Sequence, residues 1–175
     1  MDPTAVEPPV LPRKEWVKTL PQAIVASCVL LHDLDDRILL LRYAESQPSA
    51  GTWCLPGGML DHGEDPVSAA RRELFEETGI VLDHAPRLIG YDHRADVQGT
   101  GPVIDFYFDG GTLTRRQTIT RSPEHNDYGL FDLTELETTP LTPPLPALTA
   151  LQTAVRTGTV VCLREGTPAT QGPSL

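Results

Sequence analysis

Apolar residues fall in blocks whose spacing changes along the chain. Ala23–Leu31 is a nearly continuous aliphatic and β-branched run, followed by the polar stretch His32-Asp33-Leu34-Asp35-Asp36 and then Arg37-Ile38-Leu39-Leu40-Leu41-Arg42. Two buried strands joined by a hairpin are expected there. Residues 43–52 read as a polar loop, then a short apolar piece at Trp53-Cys54-Leu55 meets the breaker cluster Pro56-Gly57-Gly58. Asp65 is a good N-cap, Pro66 suits the first helical position and Gly79 is a good stop, so a helix is predicted over 66–78. Val67, Ala70 and Leu74 give that helix one core-facing stripe. Ile80–Leu82 and Arg87–His93 read as extended. In Pro102–Asp109, Val103, Asp105 and Tyr107 alternate against Ile104, Phe106 and Phe108, the pattern of a strand. Leu145, Leu148, Leu151 and Val155 recur at helical spacing, predicting a second helix over 145–157. Strands on both sides of one helix, plus a later helix, indicate a mixed α/β sandwich.

Punctuation sets the expected boundaries. Of 17 prolines, five fall in residues 1–21 and four in 140–146, a lead-in and a stiff connector. The folded unit is expected over 22–164, with a proline-rich lead-in at 1–21 and a flexible tail at 165–175. There is no internal repeat. The 175 residues suit one domain.

Charge narrows the partners. Against 24 Asp and Glu stand 14 Lys and Arg, a formal net charge of −10, and both lysines, Lys14 and Lys18, lie near the N-terminus. Nucleic acid is held largely by rows of basic residues, so no nucleic-acid partner is expected. Cys28, Cys54 and Cys162 have no Cys-x-x-Cys spacing and read as small core residues of a cytoplasmic protein. The longest apolar run is far short of the ~20 residues of a membrane span, and it lacks the flank of a cleaved signal, so neither membrane nor secretion is expected.

The 66–78 helix carries an anomaly. Glu73, Glu76 and Glu77 lie within about 100° of arc on one face, in the last turns, beside the negative end of the helix dipole. A solvated acidic face is the alternative for any single Glu-Glu pair. Three carboxylates gathered at the unfavourable end are what a hard divalent cation relieves, since Mg²⁺ takes oxygen ligands from one or two carboxylates, waters and substrate phosphates. Arg72 stands one turn before Glu76, able to pair with it. Gly57, Gly58 and Gly63 allow the preceding loop, which carries Glu64, to fold closely over a metal or phosphate.

From Gly58 the chain runs five residues to Glu64, seven more to Arg72-Glu73-Leu74-Phe75-Glu76-Glu77-Thr78, then Gly79-Ile80. This resembles, at every fixed position, the Nudix box of the Nudix (MutT-like) hydrolases. Nine fixed positions over 23 residues make it a specific match. The resemblance implies an α/β/α sandwich with a mixed sheet, whose loop and helix bind Mg²⁺ or Mn²⁺ while water cuts a diphosphate. By position it makes Glu76 and Glu77 metal ligands, Glu73 a further ligand or base, Arg72 the residue that orients them, Gly58 a backbone contributor and Glu64 a loop brace near a second metal. Ser122–Tyr128 resembles a later loop that supplies the base in several relatives, with Glu124 as the candidate and His125 and His93 weaker ones.

Substrate markers are sparse. Arg42, Tyr43, Tyr91, Arg94, Phe106 and Tyr107 could form a nucleotide pocket, with Arg42, Arg94 and Tyr107 foremost, because arginine pairs with phosphate and aromatics stack on bases. A stacking tryptophan often found after the loop glutamate is here Leu130. The expectation is Mg²⁺-dependent hydrolysis of the pyrophosphate linkage in a nucleoside diphosphate derivative or nucleoside triphosphate, by a protein that many relatives suggest is a homodimer. The rival is a non-hydrolytic, nucleotide-sensing Nudix domain, which retention of every box glutamate disfavours.

Overall fold

The computed structural model describes residues 11–114 and 117–169. The start of the lead-in and the last part of the tail lie outside them.

The expected hairpin is present, with β1 at Ile24–His32 and β2 at Ile38–Tyr43. Its strands pair only next to the turn, at His32 and Ile38, and then take different partners. Strand β1 accepts β4 (Gly57–Met59) antiparallel and β6 (Val103–Thr112) parallel. Strand β2 accepts β3 (Trp53–Cys54) and β7 (His125–Phe131), both antiparallel. Beyond β6 come β5 (Arg87–Arg94), β9 (Val161–Arg164) and β10 (Thr167–Pro168), and beyond β3 comes β8 (Leu141–Thr142). Parallel and antiparallel pairs both occur, so the sheet is mixed.

Helix α2 spans Pro66–Thr78 and α3 spans Leu145–Thr157. Both have the predicted limits. Each covers one face of the sheet. On the α3 side, Leu30, Ile38, Leu40 and Tyr107 pack with Leu148 and Leu151. On the α2 side, Val29, Leu31, Leu39 and Phe108 pack with Ala70 and Leu74. Alternation along β1, β2 and β6 therefore feeds two apolar layers, which makes the α/β/α sandwich.

The structure departs from expectation at several places, among them Cys162, which is exposed rather than core, and the breaker cluster, part of which is strand β4. A short helix α1, Arg13–Val17, stands within the proline-rich lead-in and buries no residue. Residues 80–82 form no strand, although Ile80 and Leu82 are buried. Most of the segment read as a later loop is strand β7. The sheet also continues past Arg164, because Thr167 and Pro168 pair with β9.

Candidate active site

The glycine loop reaches α2 through β4. Pairing with β1 places Gly57 beside Cys28 and Gly58 beside Ser27. A Cβ on Gly58 would stand 2.5 Å from Glu73 Oε1, and one on Gly57 would stand 2.6 Å from the Cys28 Cα. Gly57 is thus required for the loop to lie against the sheet, whereas a side chain at Gly58 would displace the Glu73 carboxylate. At the helix start, Asp65 Oδ1 accepts from the Val67 and Ser68 N–H groups at 2.9 and 3.1 Å. Gly79 ends the helix in the left-handed conformation at φ 72°.

Arg72 is the cation placed among the acids. Its Nε and Nη2 form a fork on Glu64, at 3.1 and 2.8 Å, while Nη1 donates to Glu73 at 2.8 Å and Glu76 at 3.1 Å. Nη2 also donates to the Met59 carbonyl at 3.0 Å, and the Asp61 N–H donates to Glu64 Oε2 at 3.0 Å. The planar guanidinium therefore ties loop to helix and fixes the glutamates' directions. Both oxygens of Glu64 are engaged this way. That geometry fits the loop-brace role.

Glu77 turns inward from the same helix and is only 4% exposed. Its Oε2 accepts from the Gly57 N–H at 2.7 Å, and its Oε1 lies 3.6 Å from His125 Nε2. Burial pushes its carboxyl up to about 8; the Gly57 N–H opposes that, while the charges of Glu73, Glu124 and Glu76 add to it. Burial holds the neighbouring His125 down to about 4. Its ring stacks on Tyr43 at 5.1 Å and contacts Cys54 Sγ at 3.7 Å. Cys54, read from sequence as plain core, is thus part of the packing behind Glu77.

Glu124 is carried to the site by backbone bonds. The Ser122 N–H donates to the Glu77 carbonyl at 3.2 Å, the Thr120 N–H to the Thr78 carbonyl at 2.8 Å, and the Ala44 N–H to the Glu124 carbonyl at 2.8 Å. The loop is stitched to the end of α2 and to β2. Its exposed carboxylate is close enough for its charge to raise both Glu73 and Glu77.

These groups fit a hard divalent cation in their chemistry. All the side-chain donors are carboxylate oxygens, their mutual repulsion is unrelieved at Glu77, and Gly58 keeps the backbone within reach of Glu73. They do not form a ready cage. Among the described residues no three acidic, histidine or cysteine side chains gather closely enough to enclose an ion, because Arg72 holds Glu73 and Glu76 while Glu77 points to Gly57. Such a site suits an ion that completes its shell with water and phosphate oxygens.

Beside Gly57 and Gly58, where β1 and β2 part, lies a cavity of about 190 Å³. Arg94 and Tyr107 of the expected substrate residues line it, as does Tyr43. The other three do not. Arg42 is on β2 between Trp53 and Asp127, Tyr91 is exposed, and Phe106 packs on the α2 side of the sheet. Asp105, also in the wall, was missed as a site residue. Its signal was an acid at an inward-facing position between Val103 and Tyr107.

The chain matches the NUDIX domain over residues 21–152. An RNA pyrophosphohydrolase of Rhizobium meliloti (strain 1021) is 45% identical over 62 residues, covering 33% of this chain and 37% of that protein. One from Bartonella bacilliformis is 34% identical over 96 residues, covering 46% and 54%. The matched stretches thus span about half or less of these relatives' own length. Among solved structures, a MutT protein from Methanosarcina mazei Go1 superposes with a TM-score of 0.65 at 28% identity, covering 80% of this chain and 99% of that one. The NUDIX domain of Shewanella oneidensis NrtR, solved with ADP-ribose, has a TM-score of 0.64 at 18% identity, covers 85% of this chain and 100% of that one, and shows the shared fold alone. Match, fold and box geometry agree: the chain belongs to the NUDIX family.

Proposed function

We propose that this protein is a divalent-metal-dependent hydrolase that cuts the phosphoric anhydride of a nucleoside diphosphate derivative or a nucleoside triphosphate. The observation that carries the reading is that α2 presents Glu73 beside Gly58 and Glu77 beside Gly57, with Glu76 tied to the same Arg72 and Glu124, from a separate loop, within reach of the charges of Glu73 and Glu77. Glu73, Glu76 and Glu77, with the Gly58 backbone, would hold Mg²⁺ or Mn²⁺. When bound, the ion supplies charge neutralisation for the diphosphate oxygens and a lowered pKa for water. The rest falls to side chains. Glu124 takes the proton from the attacking water; the water oxygen forms the new bond to phosphorus, and the bridging P–O bond breaks to release a phosphate. Arg72 keeps Glu73 and Glu76 aimed, and Glu64 keeps Arg72 in place. The adjoining cavity receives the remainder of the substrate.

A small-molecule substrate is favoured by the net charge of −10, which gives the surface no broad attraction for a polyanion. Several relatives are named RNA pyrophosphohydrolases, so the test panel must include a 5′-triphosphorylated RNA alongside nucleoside triphosphates, dinucleoside polyphosphates and ADP-ribose. Assayed with Mg²⁺ or Mn²⁺ and an EDTA control, at least one small nucleotide is expected to release phosphate, pyrophosphate or mononucleotide. Tight nucleotide binding with no turnover of any panel member would support the sensing domain instead.

A further inference from the structure

Asp105 is almost fully buried, at 4% exposure, in the wall of the cavity beside the glycine loop. Its charge is only half used. Arg94 sends both Nε and Nη2 to a single oxygen, Oδ2, at 2.8 and 2.7 Å, and no donor among the described residues reaches Oδ1. Directly across the strand pair stands Asp92, wholly buried, whose Oδ2 accepts from the Gly166 N–H at 2.8 Å while its Oδ1 has no partner. Two carboxylates thus face one arginine at this end of the cavity. A phosphate would be repelled there, whereas an N–H donor would complete the network.

The rest of the cavity agrees with a flat ring. Its volume of about 190 Å³ lies below the ~300–1,000 Å³ of pockets for drug-sized ligands, so it suits one ring system rather than a whole nucleotide. Ala26, Val103 and Tyr107 supply apolar wall. Gly57 and Gly58 lie at the side nearest the glutamates, which gives the phosphates and the ring separate ends. We propose, building on the hydrolase reading above, that Asp105 Oδ1 selects the base: it accepts from an exocyclic amino group of an amino-bearing nucleobase. Arg94 positions the carboxylate, and the β9–β10 turn holds Asp92 behind it. That turn lies beyond the residues matched to the family, so this support is a feature of the chain's own C-terminal segment.

The test compares matched ligands that differ by one amino group: adenosine against purine-riboside 5′-monophosphate, and guanosine against inosine 5′-monophosphate, titrated calorimetrically into the full chain with Mg²⁺. A hydrogen bond to a charged acceptor predicts about 10- to 100-fold tighter binding of the amino-bearing member in the better-bound pair. In Asp105→Asn that preference should fall to about threefold or less. Equal affinities within both pairs on the unaltered protein would overturn the assignment without relying on any variant's folding, as would a preference that survives in Asp105→Asn. Turnover of the diphosphate panel with no binding of these monophosphates would overturn it too while leaving the hydrolase reading intact. No turnover and no binding at all would remove both.

Discussion

Arg72 donates five hydrogen bonds, a set that a lysine could not reproduce. A point-like ammonium lacks the fork that grips Glu64 while still reaching Glu73 and Glu76. Arg72→Lys should therefore lower kcat by about 10- to 100-fold, as for other groups that orient ligands, while the melting temperature hardly moves. An unchanged kcat would show that the glutamates orient themselves. Glu124→Gln is a sharper probe, because a base contributes about 10²–10⁴ in rate. A loss below tenfold would transfer the proton to another acceptor. Chemistry at this scale was legible where residue type and spacing alone define it, as in the box. Asp105, His125 and Cys54 were illegible as site residues, because their significance comes from burial and from neighbours 11 to 71 positions away in sequence.

The clearest element is α2, whose limits follow from local chemistry. Asp65→Ala removes two bonds to otherwise unpaired N–H groups and should cost about 0.5–2 kcal/mol in urea unfolding. No change in the midpoint would mean that packing alone defines the helix start. The β1–β2 turn offers a pH test. Burial alone would raise the Asp33 carboxyl, but hydrogen bonds from the backbone and side chain of Arg37 and the backbone of Asp35 outweigh it and hold the group below the usual range. A carboxyl depressed by folding adds stability above its unfolded pKa of about 3.9 and loses it as pH falls through the lower folded value. Asp33→Asn should thus be less stable than the parent at pH 7, with the gap narrowing toward pH 2. A gap of constant size would locate the effect outside ionisation. Strand β7 escaped the sequence reading for a related reason. His-Asn-Asp-Tyr-Gly-Leu-Phe has little β-propensity of its own, and the strand exists because β2, more than 80 positions earlier, offers it an edge.

At the scale of the whole molecule, the hairpin strands part beyond their turn, and the sandwich puts its working parts around that gap. Carboxylates of α2 and the β7 loop stand on one side of the glycine strand, and the cavity with Asp105 on the other. The acidity of the chain takes on a local meaning here. Six of its 24 acids lie between Gly58 and Ile80 against two arginines, so part of the net charge belongs to a site suited to a divalent cation. Glu77 is central to the proposed metal site, buried yet aimed at the loop rather than committed to the core. Metal-dependent release of phosphate or mononucleotide should be measured side by side for the parent and Glu77→Gln, on the best nucleotide of the panel, with circular dichroism confirming the fold. Turnover should need Mg²⁺ or Mn²⁺, stop with EDTA, and fall by about 100-fold or more in the folded variant, beyond the loss typical of supporting residues. Turnover that persists in EDTA, or is the same in folded Glu77→Gln, would contradict that metal site.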